Sequence, residues 1–164
     1  MLKLLIGDQP KLRERSKEVG EITPEILRLA KEMFDITKKE NGIGLSAIQV
    51  GEAIRLFVME LKPSRKSKLP KIPRTIVINP KILEKSGETK VGEEGCLCFP
   101  NIFGDVKRAE RIRLEYLDET GKKRTQTFTG FKARVVQHEL DHLNGVLFID
   151  KAKDLWTYAE PEEK

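Results

Sequence analysis

Cysteine and histidine are both scarce in this chain, with two of each among 164 residues. Two cysteines, Cys96 and Cys98, cannot build a disulfide framework, and one intervening residue is too close for an ordinary bridge. A bridge-stapled secreted scaffold is thereby set aside, and a reducing compartment, the cytoplasm, is expected. Long apolar runs are missing as well. Nothing approaches the ~20 residues of a membrane-spanning helix, and the apolar run within Met1 to Asp8 is too short for a signal peptide. No membrane role is expected. Aromatic residues make up only 6% of the chain, and none interleaves the basic run Lys62 to Arg74. That run has six basic residues, no acidic one, and prolines at 63, 70 and 73, which is the composition of a surface loop. Without a stacking platform it is a poor nucleic-acid site, and no DNA partner is expected. The net charge of +5 still favours an anionic neighbour such as RNA.

The two histidines that are present fall in one segment, His138-Glu139-Leu140-Asp141-His142. On a helix, positions i and i+4 share a face, so both imidazoles can reach one metal ion. Glu139, next to the first ligand, can take a proton from a metal-activated water without ligating. Paired histidines can also simply flank a core helix, but here histidine is otherwise absent. A metal-dependent hydrolase is the leading reading.

The rest of the chain predicts an α+β architecture, with antiparallel and mixed β-strands around a central metal-binding helix and an N-terminal helix. The length suits one domain over residues 1–164, with a disordered tail from about 159. Thr23 reads as an N-cap with Pro24 at the first helical position, and Ile26, Ala30, Met33 and Thr37 recur at helical spacing. Asn41-Gly42 ends that helix, predicted over 24–40. Residues 55–59 and 75–78 are β-rich. Ile112, Leu114 and Tyr116 alternate with polar neighbours, residues 118–121 supply a turn, and 125–128 return as the second strand of a hairpin. Ala133, Val136, Leu140 and Leu143 form the buried stripe of the second helix. Gly145 ends it, and 146–149 are predicted to form a last strand.

A catalytic site of this type needs a third protein ligand and an open position. A metzincin-like third histidine would fall at position 148, which is Phe148, and only tail glutamates lie further downstream. The third ligand is therefore expected upstream, in Glu94-Gly95-Cys96-Leu97-Cys98. If extended, that segment puts Cys96 and Cys98 on one side, and composition does not say which thiolate ligates.

Three ordered motifs resemble those of the peptide deformylases. They are Gly42-Ile43-Gly44-Leu45-Ser46-Ala47-Ile48-Gln49-Val50-Gly51, then Glu94-Gly95-Cys96-Leu97-Cys98, then Gln137-His138-Glu139-Leu140-Asp141-His142-Leu143. The resemblance runs over about residues 5 to 150. It implies removal of the formyl group from N-formyl-methionyl nascent peptides, with release of formate. It also implies that Cys96, His138 and His142 hold one divalent metal, ferrous iron physiologically, with zinc, nickel or cobalt able to replace it. Glu139 would be the catalytic acid–base. The Gln49 amide and the Leu97 N–H would hold the formyl oxygen. Ile43, Leu97, Val135 and the face of His138 would line the methionine pocket, and the backbone of Gly44 and Gly95 would pair with substrate. From the residues alone, Ile43 and Val135 could equally be ordinary core. Arg108 is matched by an arginine in the family, and Glu94 or Asp141 could be its partner.

There are departures from the family pattern. Ser46 stands for the usual alanine and Cys98 for the usual serine, both small for small and expected to leave the chemistry intact. Cys98 adds a thiol near the site, open to oxidation or stray metal binding. The family's long C-terminal helix, linked to ribosome docking, has no counterpart in residues 151–164. Any ribosome association is instead expected to be weak, salt-sensitive and borne by the 62–74 loop. Two rival readings are another metal-dependent amidase or peptidase, and a structural metal site with Cys98 as a fourth ligand.

Overall fold

The structure, a computed structural model, describes residues 1–159. Helix α1 spans Pro24–Lys39, and Thr23 caps it by accepting a hydrogen bond from the Ile26 N–H. Its apolar stripe (Ala30, Met33 and Phe34) packs on Leu45, Val58 and Ile78. A five-stranded sheet has the order β1-β2-β3-β6-β7, with β1 Gly44–Ser46, β2 Leu56–Leu61, β3 Ile72–Lys85, β6 Arg111–Leu117 and β7 Lys123–Thr129. A second sheet, ordered β4-β5-β8, is built from Thr89–Cys96, Phe99–Ala109 and Lys153–Trp156. Every ladder is antiparallel; among the described residues the parallel element is one isolated bridge, Lys17 to Ile54.

Helix α2, Gly130–Leu143, lies between the two sheets. Val136, Leu140 and Leu143 bury against Phe57, Ile112, Leu114 and Phe128 of the larger sheet. Toward the smaller sheet, Gln137 accepts from the Ala109 N–H at 3.1 Å and donates to the Ala109 carbonyl at 2.9 Å, pinning the helix to β5. This leaves His138, Glu139 and His142 buried between helix and sheet. The helix stops at Gly145, whose φ of +74° is left-handed and whose Cβ, if present, would lie 2.3 Å from the Arg13 carbonyl.

Three expectations are corrected. The strand predicted over 146–149 is absent, because Phe148–Lys151 form a helical turn, α3. Asp150 accepts the Leu147 N–H and pairs with Arg13, a cap geometry that outweighs the β-branched composition. The last strand, β8, lies further on. The Cys96–Cys98 segment is not extended; Leu97 and Cys98 form the two-residue turn of the β4–β5 hairpin, since Cys96 pairs with Phe99. Finally, the loop expected over 62–74 ends early, because Ile72 pairs with Leu61 of β2 and Ile72, Pro73 and Arg74 already lie in β3. Most of the tail predicted from about 159 lies outside the described residues.

Candidate active site

The hairpin turn and α2 bring the predicted donors together. One ligand atom each from Cys96, His138 and His142 lies within 4.8 Å of the others, and Cys96 Sγ is 3.4 Å from His142 Nε2. A tetrahedral ion bound at about 2.3 Å to sulfur and 2.0 Å to nitrogen requires separations of this order. His138 Nδ1 is taken by Glu94 at 2.9 Å, leaving its Nε2 for a metal. Burial, the His138 charge and Arg108 all push the His142 pKa well down, which keeps that ring neutral and able to ligate. One thiolate and two imidazoles suit zinc or ferrous iron, so the residues fit one divalent ion. Cys98 falls outside this donor set and packs in the core beside Phe99 and Leu147.

Glu94 anchors the set from behind. It accepts a two-point hydrogen bond from Arg108, at 2.8 and 2.9 Å, and another from Arg134 at 2.8 Å. Arg108 also reaches Asp141 at 2.5 Å, so both carboxylates proposed for it are its partners. Burial works to raise the Glu94 pKa, but Arg108 and His138 outweigh it and hold the carboxyl well below the usual range.

Glu139 is 3% exposed and ligates nothing in the set. Burial raises its pKa, against the His138 charge and a hydrogen bond from Ser46. The Ser46 hydroxyl lies 2.7 Å from Glu139 Oε2. The other carboxylate oxygen faces Gly44, where a Cβ would come within 2.7 Å of Oε1. The Gln49 Oε1 accepts the Ser46 N–H at 2.9 Å, which turns its amide nitrogen toward Cys96 Sγ at 3.5 Å and Cys98 Sγ at 3.3 Å.

A cavity of about 510 Å³ opens over this centre. Ile43, Gly44, Gln49, Gly95, Cys96, Leu97, Val135, His138 and Glu139 all line it, while His142 lies beneath. Glycine is required at both predicted backbone positions: Gly44 faces Glu139, and a Cβ on Gly95 would lie 2.8 Å from the Phe103 ring. These glycines lie on β1 and β4, the outer strands of their sheets, so each offers an edge that another strand can pair with. Sequence reasoning did not find the Ser46–Glu139 contact or the Phe103 and Phe131 walls; the first joins residues 93 apart.

The profile of the family described as polypeptide deformylase matches residues 1–157. A peptide deformylase of Pseudothermotoga lettingae is 42% identical over 146 residues, spanning 89% of this chain and 79% of the relative. The crystal structure of the Thermotoga maritima peptide deformylase superposes with a TM-score of 0.85 at 38% identity, covering 94% of this chain and 99% of that one. A class I type b enzyme of Acinetobacter baumannii, solved with Met-Ala-Ser bound, gives a TM-score of 0.87 at 34% identity, covering 92% and 97%. The chain belongs to the polypeptide deformylase family.

Proposed function

We propose that this chain hydrolyses the formyl group of N-formyl-methionyl peptides, releasing formate, with Glu139 carrying the proton. One observation carries the reading: a Cys-His-His donor set, a buried non-ligating carboxylate and two open strand edges share one cavity. Cys96, His138 and His142 would hold a divalent ion, which when bound would supply Lewis acidity toward a carbonyl and a water. Family likeness favours ferrous iron; zinc, nickel and cobalt suit the same donors.

Glu139 accepts the proton of the attacking water and returns it to the leaving amine, as base and then acid. Its burial raises proton affinity, which suits a group that must hold a proton between the two steps. The Ser46 hydroxyl fixes one carboxylate oxygen and leaves the other free. The Gln49 amide, oriented by the Ser46 N–H, and the Leu97 N–H at the hairpin tip donate to the developing oxyanion. Such a donor typically contributes ~10²–10³ in turnover. Ile43, Leu97, Val135 and the His138 ring form an apolar seat for the methionine side chain. The substrate backbone adds between the Gly44 and Gly95 edges as an extra strand. The Met-Ala-Ser bound by the Acinetobacter relative has the chemistry of a deformylated product.

The chain is read as one catalytic domain acting in the cytoplasm on peptides leaving the ribosome. Among the described residues no helix is long and apolar enough to cross a membrane. Lys62 of the basic loop and Arg74 of β3 pair with Glu60, and Arg74 lies over the Phe34 ring, so the loop's Arg65, Lys66, Lys68 and Lys71 are left to dock weakly on ribosomal RNA. Hydrolysis of formyl-Met against acetyl-Met peptides by anaerobically iron-loaded protein tests the reading. Formate release confined to the formyl substrate is expected; equal cleavage of both would favour a broader amidase.

A further inference from the structure

A second cavity, of about 940 Å³, lies on the far side of α2 and shares no lining residue with the substrate cavity. It sits where the segment 15–18, β3, β5 and the end of α2 meet. Eight basic and three acidic side chains line it, an excess of five. That equals the formal net charge of the whole chain, so the rest of the molecule is in balance. Six of these cations (Arg15, Lys17, Arg55, Lys81, Lys85 and Lys107) have no carboxylate within ion-pair distance among the described residues.

Arg55 is the unusual member. It is 9% exposed, and its guanidinium finds only neutral acceptors: the Ser16 and Leu143 carbonyls and Asn144 Oδ1. These bonds all use Nη1, leaving its other two nitrogens without a protein acceptor among the described residues. A buried charge is normally paired. Here burial and the neighbouring Arg15 charge both work against it. The wall is also built in advance. Asn79 clamps the Val19 backbone at both N–H and carbonyl, each at 2.8 Å, and Ser16 N–H binds the Leu143 carbonyl at 2.9 Å. A cluster of like charges gathered around a concavity favours a multiply charged anion.

We propose that this cavity binds a compact polyphosphate anion, inorganic or the phosphate tail of a nucleotide. One carboxylate would satisfy one or two cations; several linked phosphoryl groups satisfy the set. No aromatic residue lines the cavity, so there is no platform for a base, and recognition is of the phosphates alone. The volume suits a small ligand rather than a duplex laid across the surface.

The test is calorimetric titration of zinc-loaded protein with sodium tripolyphosphate, with ATP, orthophosphate and a single-stranded RNA decamer as further arms. Zinc content is measured before and after, because tripolyphosphate chelates metal. Saturable 1:1 binding of tripolyphosphate is expected, at least about tenfold tighter than orthophosphate and not exceeded by ATP. K81Q/K107Q should weaken it at least about tenfold with an unchanged thermal midpoint, while R65Q/K66Q/K68Q/K71Q should leave it intact. Tighter ATP binding would overturn recognition by the phosphates alone. No tripolyphosphate binding, equal loss in the two variants, or binding of RNA alone would overturn the proposal.

Discussion

Arg108→Met removes the hub that joins β5, β4 and α2 behind the donor set. Arg108 and Glu94 side chains are 3% and 5% exposed, so the ion pair is screened little by solvent. Removing one member of such a pair typically costs about 3–5 kcal/mol, because the other charge is left buried. Glu94 keeps Arg134 and His138, and Asp141 keeps Lys151. The loss should therefore sit near the lower limit, about 3 kcal/mol. For a chain of this size that corresponds to a fall in Tm of roughly 6–12 °C. Metal-free samples of both proteins should be compared in urea, so that metal linkage does not enter. The pH dependence has a defined sign. The folded Glu94 pKa is depressed, so its contribution is complete above the ordinary glutamate value of about 4.3 and is lost as pH falls through the lower folded value. The gap between wild type and variant should narrow as pH falls, partly through the histidine range, because Arg108 no longer opposes protonation of His138 and His142, and further in stronger acid as Glu94 takes its proton. A loss below about 1 kcal/mol, the ceiling for an exposed pair, would refute the reasoning.

Cys96→Ser should abolish metal retention while Cys98→Ser keeps it, read by elemental analysis after dialysis; equal loss from both would move the ligand assignment. Ser46→Ala removes the hydroxyl on Glu139 but installs the family's usual residue, so kcat, KM and metal content should stay within about threefold of wild type, a barrier change under about 0.7 kcal/mol. A larger fall in kcat would show that this chain depends on the hydroxyl to orient Glu139. Neutralising Arg65, Lys66, Lys68 and Lys71 together should lower ribosome co-sedimentation at low salt and flatten its salt dependence. Identical sedimentation of the two proteins would leave the loop without a docking role.

The metal helix was legible because two signals coincide there: a 3.6-residue apolar stripe and two histidines four apart. The β6–β7 hairpin was legible because Ile112, Leu114 and Tyr116 alternate around a turn that Asp118 closes by accepting the Thr120 and Lys122 N–H groups. The long β4–β5 hairpin was not. Gly92, Gly95 and Gly104, with Pro100, interrupt any strand signal, yet the neighbouring Arg134, Phe103 and Ala152 side chains need that bare backbone. The 146–149 segment misled because its β-branched residues are overridden by a cap and by Arg13, more than a hundred residues away. At the site, the donor residues could be named from spacing and resemblance. What holds them could not be read locally: Ser46 on Glu139, Gln49 between two sulfurs, and Arg134 on Glu94 are contacts between distant segments.

The central claim is that Glu139 carries the proton in a cavity whose Cys-His-His set holds the metal. The most direct measurement is formate release from a formyl-Met peptide by wild type and Glu139→Gln, each anaerobically loaded with ferrous iron and matched for metal content. The amide keeps the shape of the side chain but cannot shuttle a proton. Full iron retention is expected, with a fall in kcat of ~10²–10⁴, the usual contribution of a general acid–base. A variant that holds its iron and keeps more than about a tenth of wild-type turnover would contradict the claim.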